Sequence, residues 1–276
     1  MEKVWFVTGA SKGLGLSLVK KLIATGQRVA ATSRHAEALS EAVGTSSDQF
    51  LPLQVDLANE ASVREAVQKT QETFGTLDVI VNNAGYGIGG SIEELTDAET
   101  RTSFDVNVFG TLNVIRAVMP YLRQQRSGHI INIASIAGFA ANTGWAIYGA
   151  SKFAVVGLSE VLAEDVKEFG IKVTVLEPGA FRTQFLTKES LVFAQNPIED
   201  YQAIRNSHAK YAAMDGVQQG DPERAADVML ELAAMEQPPV RLFMGSDAYR
   251  RALQKLEIVR QDLETYQNLS FATDFQ

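Results

Sequence analysis

The chain of 276 residues contains no cysteine. That excludes disulfides, iron–sulfur clusters and thiolate zinc sites together, so the core alone must hold the fold. A reducing compartment is compatible with this. Histidine is scarce. His35, His129 and His208 are dispersed, with no pair at the helical spacing of a metal site; no metal is expected, and His129, which opens a strand, reads as structural. Positive charge is not in excess: 25 Lys+Arg stand against 33 Asp+Glu, a net charge of −8. This argues against nucleic acid as a partner, since a phosphate backbone needs a concentrated basic face. A long uninterrupted apolar run is also missing. The N-terminus lacks a basic leader, and its apolar stretch stops at Thr8-Gly9. The least charged stretch, residues 130–151, is broken by Asn132, Ser135, Gly138, Asn142, Thr143, Gly144 and Gly149. It reads as buried protein around a site and not as a bilayer helix. A soluble cytoplasmic protein without a membrane partner is expected. The paired acids Glu93-Glu94 read as a solvated loop, not as a glycosidase pair.

What is present is ordinary globular composition, 46% hydrophobic and 21% charged. Short apolar runs alternate with segments of helical period. Strands are expected at residues 3–8, 27–33, 50–55, 77–81, 129–134, 172–176 and 241–244. Between them, helices are expected at 14–25, from the cap Asn59 to Phe74, from the capping box of Thr96 and Glu99, then a further one through about Arg123, at 147–169, from Asp221-Pro222, and at 248–267. Nearly continuous apolar strands alternating with helices imply an α/β fold, a doubly wound parallel sheet covered on both faces. No composition break suggests a second domain, so residues 1–276 read as one. Residues 182–220 look irregular and suit a lid over a substrate pocket. Residues 245–276 form a C-terminal helical extension, where Phe271 and Phe275 either reach a neighbouring subunit or fray.

The first strand runs into Thr8-Gly9-Ala10-Ser11-Lys12-Gly13-Leu14-Gly15. Glycines there permit a tight turn and close approach to a pyrophosphate, and the helix start that follows favours its negative charge. A dinucleotide is therefore the expected cofactor. At the end of the second strand stand Ser33-Arg34, with no acid. An acid would hydrogen-bond the ribose 2′-hydroxyl; Arg34, helped by Lys12, instead suits a 2′-phosphate, which favours NADP(H) over NAD(H). The alternative is that both are solvated surface cations. Asp56-Leu57 follow the third strand; the Asp56 carboxylate either accepts an adenine amino group or simply forms a turn before the Asn59 cap. Asn82-Asn83-Ala84-Gly85 close the fourth strand at the carboxyl edge, where such sheets bind ligands.

Tyr148 and Lys152 lie four apart on an expected helix and so share a face. Ser135 closes the fifth strand at the same edge. Reducing a ketone requires a proton for the nascent alkoxide. A tyrosine can give it, but its reference pKa is about 10. An ammonium at about 4 Å, at an effective dielectric near 20, attracts a phenolate by about 4 kcal/mol, enough to lower that value by up to about three units before desolvation. Ser135 can hold the carbonyl oxygen, or it can be a cap.

With the glycine turn, Asn82-Asn83-Ala84-Gly85, Ser135 and Tyr148-x-x-x-Lys152 in order, the chain resembles the short-chain dehydrogenase/reductase family of classical, NADP-preferring type, over about residues 3–183. The resemblance implies a single Rossmann-like domain with a seven-stranded parallel sheet, and homodimers or homotetramers built on helices around 106–121 and 148–169. It implies that Tyr148 is the acid/base, that Lys152 lowers its pKa and binds the nicotinamide ribose, that Ser135 orients substrate, and that Asn107 supports a proton-relay water. It places Gly9, Ser11, Lys12, Gly13, Leu14, Gly15, Ser33, Arg34, Asp56, Leu57, Asn83, Ala84, Gly85, Tyr148, Lys152, Pro178, Gly179 and Thr183 around the cofactor. Glu177 departs from the family, which commonly has Asn before Pro-Gly. The activity implied is NADPH-dependent reduction of a ketone or aldehyde, reversibly alcohol oxidation. Phe139, Trp145, Phe181, Phe185 and Phe193 suggest apolar bulk in the substrate. A rival reading is a regulatory NADP-binding protein without turnover; retention of Asn107, Ser135, Tyr148 and Lys152 counts against it.

Overall fold

The structure, a computed structural model, describes residues 2–187 and 190–275. Nine strands and ten α-helices lie among the described residues: β1 (Val4–Val7), α1 (Gly13–Ala24), β2 (Arg28–Ser33), α2 (Ala36–Val43), β3 (Phe50–Gln54), α3 (Glu60–Phe74), β4 (Val79–Asn82), β5 (Gly87–Gly89), α4 (Asp97–Phe104), α5 (Gly110–Gln125), β6 (Gly128–Ile133), α6 (Ala146–Asp165), β7 (Ile171–Pro178), β8 (Leu191–Phe193), α7 (Gln202–Ala212), α8 (Pro222–Ala234), β9 (Arg241–Met244), α9 (Ser246–Thr265) and α10 (Gln267–Phe271). Seven strands form one parallel sheet in the order β3-β2-β1-β4-β6-β7-β9. This is the doubly wound α/β, Rossmann-like fold that the alternating pattern implies.

The central strand shows why the sheet needs helices on both sides. Val4, Trp5, Phe6 and Val7 are all buried. Side chains alternate along a strand. Trp5 and Val7 join a core with Leu18 and Leu22 of α1 and Met229 and Leu232 of α8. Val4 and Phe6 join the opposite core with Val63 and Val67 of α3 and Val114 and Val118 of α5. The expected caps form. Asn59 accepts from the backbone of Ala61 and Ser62, Thr96 and Glu99 complete a capping box, and Asp221 caps α8 with Pro222 in its first turn. Each such cap is worth about 1 kcal/mol.

Several elements differ from the expectation. The helix α2 was not anticipated, nor was the two-stranded parallel pairing of β5 with β8. Residues 182–220 are not irregular: they contain β8 and α7, although Lys188 and Glu189 within them lie outside the described residues. The helix expected over 147–169 ends at Asp165, and a separate turn covers Lys167–Phe169. Between α4 and α5 the chain widens into a single π-turn, Asp105–Phe109. Glu93-Glu94 is only half solvated. Glu94 is 3% exposed, because residues 198–205 fold over it. It accepts from the backbone of Ser91 and Ile198 and pairs with Arg205. His129 is structural: its Nε2 lies 2.9 Å from Thr174 Oγ1, and burial pushes its pKa down to about 3. Among the described residues α6 alone is long and apolar enough to cross a membrane. It packs instead on β7, with Val155, Val156 and Ser159 buried.

Candidate active site

The carboxyl ends of β1, β4 and β6 meet at one edge of the sheet, and short hydrogen bonds lock them. Thr8 Oγ1 accepts from the backbone of Asn83 at 3.0 Å and of Ala84 at 3.1 Å. Asn83 Nδ2 donates to the carbonyls of Thr8 and Gly9, each at 3.0 Å. Gly9 has φ +65, and a Cβ there would stand 2.7 Å from Ala84 Cα. Only glycine satisfies both conditions. Gly15 has a different task from the one expected. It does not face the cavity; a Cβ there would stand 2.5 Å from Asn83 Nδ2, so its role is close packing beneath the turn.

A cavity of about 780 Å³ opens at this edge. Its walls include Gly9, Ser11, Lys12, Gly13 and Leu14 of the glycine turn, Ser33 and Arg34 after β2, Asp56 and Leu57 after β3, and Asn83, Ala84 and Gly85 after β4. Ser135, Tyr148 and Lys152 line it too, as do Pro178, Gly179 and Thr183 after β7. Of the expected site residues only Gly15 and Asn107 lie outside the wall. Asn107, 1% exposed, sits in the π-turn. Its Oδ1 accepts from the backbone of Tyr86, and its Nδ2 donates back to the Tyr86 carbonyl, both at 3.0 Å. A further bond of 3.2 Å runs from Nδ2 to Ser151 Oγ. The amide is thus engaged with protein and braces the loop behind the cavity. Asp56 accepts from the backbone of Ala58 at 3.0 Å, as a turn residue does, and it lines the cavity.

The glycine turn suits an anion. Helix α1 begins at Gly13 with no side-chain cap and no acid in its first turn, unlike α3 and α8. Its amide end borders the cavity, where the Gly13 N–H donates to Gln184 Oε1 at 3.2 Å. A helix start without a cap, with Arg34 and Lys12 on the same wall, fits the phosphates of a dinucleotide.

Tyr148 and Lys152 are 8% and 5% exposed on the first two turns of α6. Lys152 Nζ donates to the Ile133 carbonyl at 2.9 Å and stands 5.9 Å from the Tyr148 ring centre. Ser135 caps the turn Ile136–Gly138 and also hydrogen-bonds the Tyr148 side chain. The ammonium does not lower the phenol as expected. Burial pushes Tyr148 up to about 12, opposed by the Ser135 hydrogen bond. Burial likewise pushes Lys152 down to about 8. Desolvation disfavours the charged form of each group.

The aromatic expectations divide. Trp145, Phe181 and Phe185 line the cavity. Phe139 instead stacks on Phe243, 5.2 Å between centres, with the Arg241 guanidinium over its ring. Phe193 lies outside the wall, against Trp145 and His208. Glu177 also faces away from the cavity. Its fully buried carboxylate lies 3.0 Å from Arg241 Nε, and burial pushes its pKa up to about 7 against the pull of that guanidinium. Sequence reasoning missed a distant set of wall residues: Asn142, Tyr211, Gln218, Asp247 and Arg251. Asp247 accepts from the Ala180 backbone at 2.8 Å, and Arg251 donates to the Ala140 carbonyl at 2.7 Å. No local motif marks them, because β7, α7 and α9 converge only in the fold.

A doubly wound sheet with a glycine-turned first strand and a Ser-Tyr-Lys cluster at its carboxyl edge defines a class of oxidoreductases. Comparison with known proteins places the chain within it. A family model described as short chain dehydrogenase matches residues 3–191. Oxidoreductase BOA17 of Botryotinia fuckeliana is 35% identical over 275 residues, covering 99% of this chain and all of the relative. The 3-ketodihydrosphingosine reductase of Bacteroides thetaiotaomicron is 36% identical over 243 residues, 88% of each chain. The crystal structure of a short-chain dehydrogenase from Streptomyces avermitilis superposes with a TM-score of 0.92 at 35% identity, covering 100% of both chains. The chain belongs to the short-chain dehydrogenase/reductase family and is an oxidoreductase of that family.

Proposed function

We propose that the protein reduces a ketone or aldehyde, reversibly oxidising the alcohol, with NADP(H) as preferred dinucleotide. The observation that carries this reading is the convergence of Ser135, Tyr148 and Lys152 in one cavity with the glycine turn and Arg34. Gly9, Ser11, Gly13 and Leu14 would cradle the pyrophosphate, and Arg34 with Lys12 the 2′-phosphate. Asp56 and Leu57 would border the adenine, Asn83, Ala84, Gly85 and Lys152 the ribose, and Pro178, Gly179 and Thr183 the nicotinamide. A bound nicotinamide dinucleotide supplies a hydride.

The chain's own groups handle the oxygen and its proton. The Ser135 hydroxyl holds the carbonyl oxygen beside the Tyr148 phenol. Tyr148, pushed up to about 12, keeps its proton at any ordinary pH and gives it to the developing alkoxide. Lys152 holds the edge of β6 through the Ile133 carbonyl and keeps a donor in the cavity. Trp145, Phe181 and Phe185 give the far wall an apolar surface. The substrate therefore carries apolar bulk beside its carbonyl, a class consistent with the 3-keto compound in the name of the Bacteroides relative. Residues 182–187 and 190–220 contribute the lining side chains Thr183, Gln184, Phe185, Leu186, Ser190, Val192, Tyr211, Met214 and Gln218, which suits a lid over the substrate.

The test is NADPH oxidation across ketones and aldehydes of graded size. Turnover is expected to rise with apolar bulk. Tyr148→Phe is expected to lower kcat about 10²–10⁴-fold, the usual share of a general acid, while dinucleotide affinity by fluorescence titration stays unchanged. Full activity in that variant, or no turnover by the wild type with any carbonyl, overturns the reading.

A further inference from the structure

The far wall of the cavity carries polar groups as well as aromatic rings. Asn142, between β6 and α6, and Tyr211, near the end of α7, both line it. They lie 69 residues apart in sequence, yet Asn142 Nδ2 donates to the Tyr211 hydroxyl oxygen. The docking of α7 brings them together. Ser207 Oγ donates to the Thr143 carbonyl at 2.8 Å, and His208 Nε2 lies 3.0 Å from the Gly144 carbonyl oxygen. The Trp145 ring meets His208 and Tyr211 edge-on, with 5.0 Å between centres in each case. Tyr211 is therefore held both at its ring and at its oxygen. It also opposes ionisation of Tyr148 through space, which sets the two phenols in the same part of the cavity.

The bond between Asn142 and Tyr211 does not use up what the pair can offer. A phenol has one proton to give, and a side-chain amide both gives and takes. With Asn142 Nδ2 donating, the Tyr211 proton and Asn142 Oδ1 have no partner among the described residues. Turning the amide over exchanges the atoms and still leaves a free donor and a free acceptor. Two further lining residues hold unmet polar atoms. Trp145 Nε1 and both amide atoms of Gln218 are buried without a partner among the described residues. Buried polar groups are nearly always hydrogen-bonded, so this lining suits a ligand with polar groups of its own.

We propose that Asn142 and Tyr211 form a subsite for a hydroxyl group on the substrate, which makes the substrate a hydroxy ketone or hydroxy aldehyde with apolar bulk. This rests on the carbonyl-reduction reading above and adds the second functional group. A hydroxyl both gives and takes, and so answers the free donor and the free acceptor together. A carboxylate only accepts and leaves the acceptor unpaired. An ammonium only donates and leaves the donor unpaired. An alkyl group leaves both unpaired, at a cost in binding. Sites that hydrogen-bond a substrate hydroxyl reject the analogue lacking it more strongly than apolar pockets select by size.

The test compares ethyl phenyl ketone, hydroxymethyl phenyl ketone and phenylglyoxylate, which place a methyl, a hydroxyl or a carboxylate beside the same aryl carbonyl. Each is assayed by NADPH oxidation. Intrinsic reactivity differs among them, so the quantity read is the change in a ratio of kcat/KM on substitution. The wild type is expected to prefer the hydroxymethyl ketone. Its hydroxyl-to-methyl ratio is expected to fall about tenfold in Tyr211→Phe, which keeps the ring against Trp145, and by a similar factor in Asn142→Leu, with circular dichroism unchanged in both. An unchanged ratio in either variant overturns the subsite. So does a phenylglyoxylate-to-methyl ratio that falls as far as the hydroxyl ratio, which assigns the pair to anions. A wild type that reduces the ethyl and hydroxymethyl ketones equally well overturns the subsite alone. A wild type that reduces no ketone or aldehyde overturns the carbonyl-reduction reading and the subsite with it.

Discussion

At the residue scale, the site holds two groups whose burial opposes their usual charge states. Lys152 is pushed down to about 8 from an unfolded value near 10.5. A depressed pKa contributes stability above the unfolded value and loses it as pH falls through the folded one. At pH 7 the ammonium is charged in both states, and folding bears its desolvation. Lys152→Met is therefore expected to melt at higher temperature than the wild type at pH 7, and the gap should narrow between pH 8 and pH 10.5. Melting curves across that range check it; a gap independent of pH rules out the buried charge as its cause. The same variant is expected to lose activity, as a strained functional group would. These residues were legible from sequence because a helix face fixes Tyr148 and Lys152 at a separation of four, and a strand end fixes Ser135. Their electrostatics were not legible. Attraction between two groups can be imagined from spacing alone, but the depth of burial that overrides it comes from the whole fold.

At the element scale, the π-turn at Asp105–Phe109 is what aims Asn107 at the Tyr86 backbone. One amide thereby satisfies a donor and an acceptor of the loop that carries Gly85. A Cβ at Gly85 would stand 3.0 Å from Asn107 Oδ1 and 3.4 Å from Lys152 Nζ, so loop, π-turn and α6 are packed in contact. Asn107→Ala leaves both backbone groups unpaired and is expected to cost about 2–4 kcal/mol. Asn107→Asp keeps an acceptor for the Tyr86 amide but turns an oxygen on its carbonyl, so it is expected to destabilise as well. Urea unfolding decides the matter: an Asp variant as stable as the wild type removes the bidentate brace. Asn107 was picked out in sequence only by family likeness, since a π-turn has no pattern that periodicity can show. By contrast α2, although not anticipated, has a pattern that was there to read. Leu39 and Val43 stand four apart before Gly44, whose φ of +75 stops the helix. The pair β5–β8 was not legible, because strands of three residues, one of them Gly-Ile-Gly, carry no period.

At the scale of the whole molecule, the alternation of apolar strands and helices implies a parallel sheet covered by helices, and the order β3-β2-β1-β4-β6-β7-β9 is the doubly wound form that sheet takes. What alternation could not show is that α7 and α9 return to close the cavity from the far side. A cavity closed by elements from both ends of the chain couples dinucleotide binding to global stability. A ligand that binds only the folded state raises stability by about 2.7 kcal/mol at a hundred times its Kd. For a chain of this size that is a rise in Tm of about 5 °C. Under the proposed preference NADP+ gives this shift at a lower concentration than NAD+. Arg34, exposed at the end of β2 and on the cavity wall, is the group that separates the two. Arg34→Asp removes a partner for a 2′-phosphate and adds a repelling charge, while an acid there can accept from a free ribose hydroxyl. The variant is thus expected to lose the NADP+ shift and to keep or increase the NAD+ shift. Equal shifts with both dinucleotides in the wild type, or an unaltered ratio in the variant, would show that Arg34 is only a solvated cation at the rim.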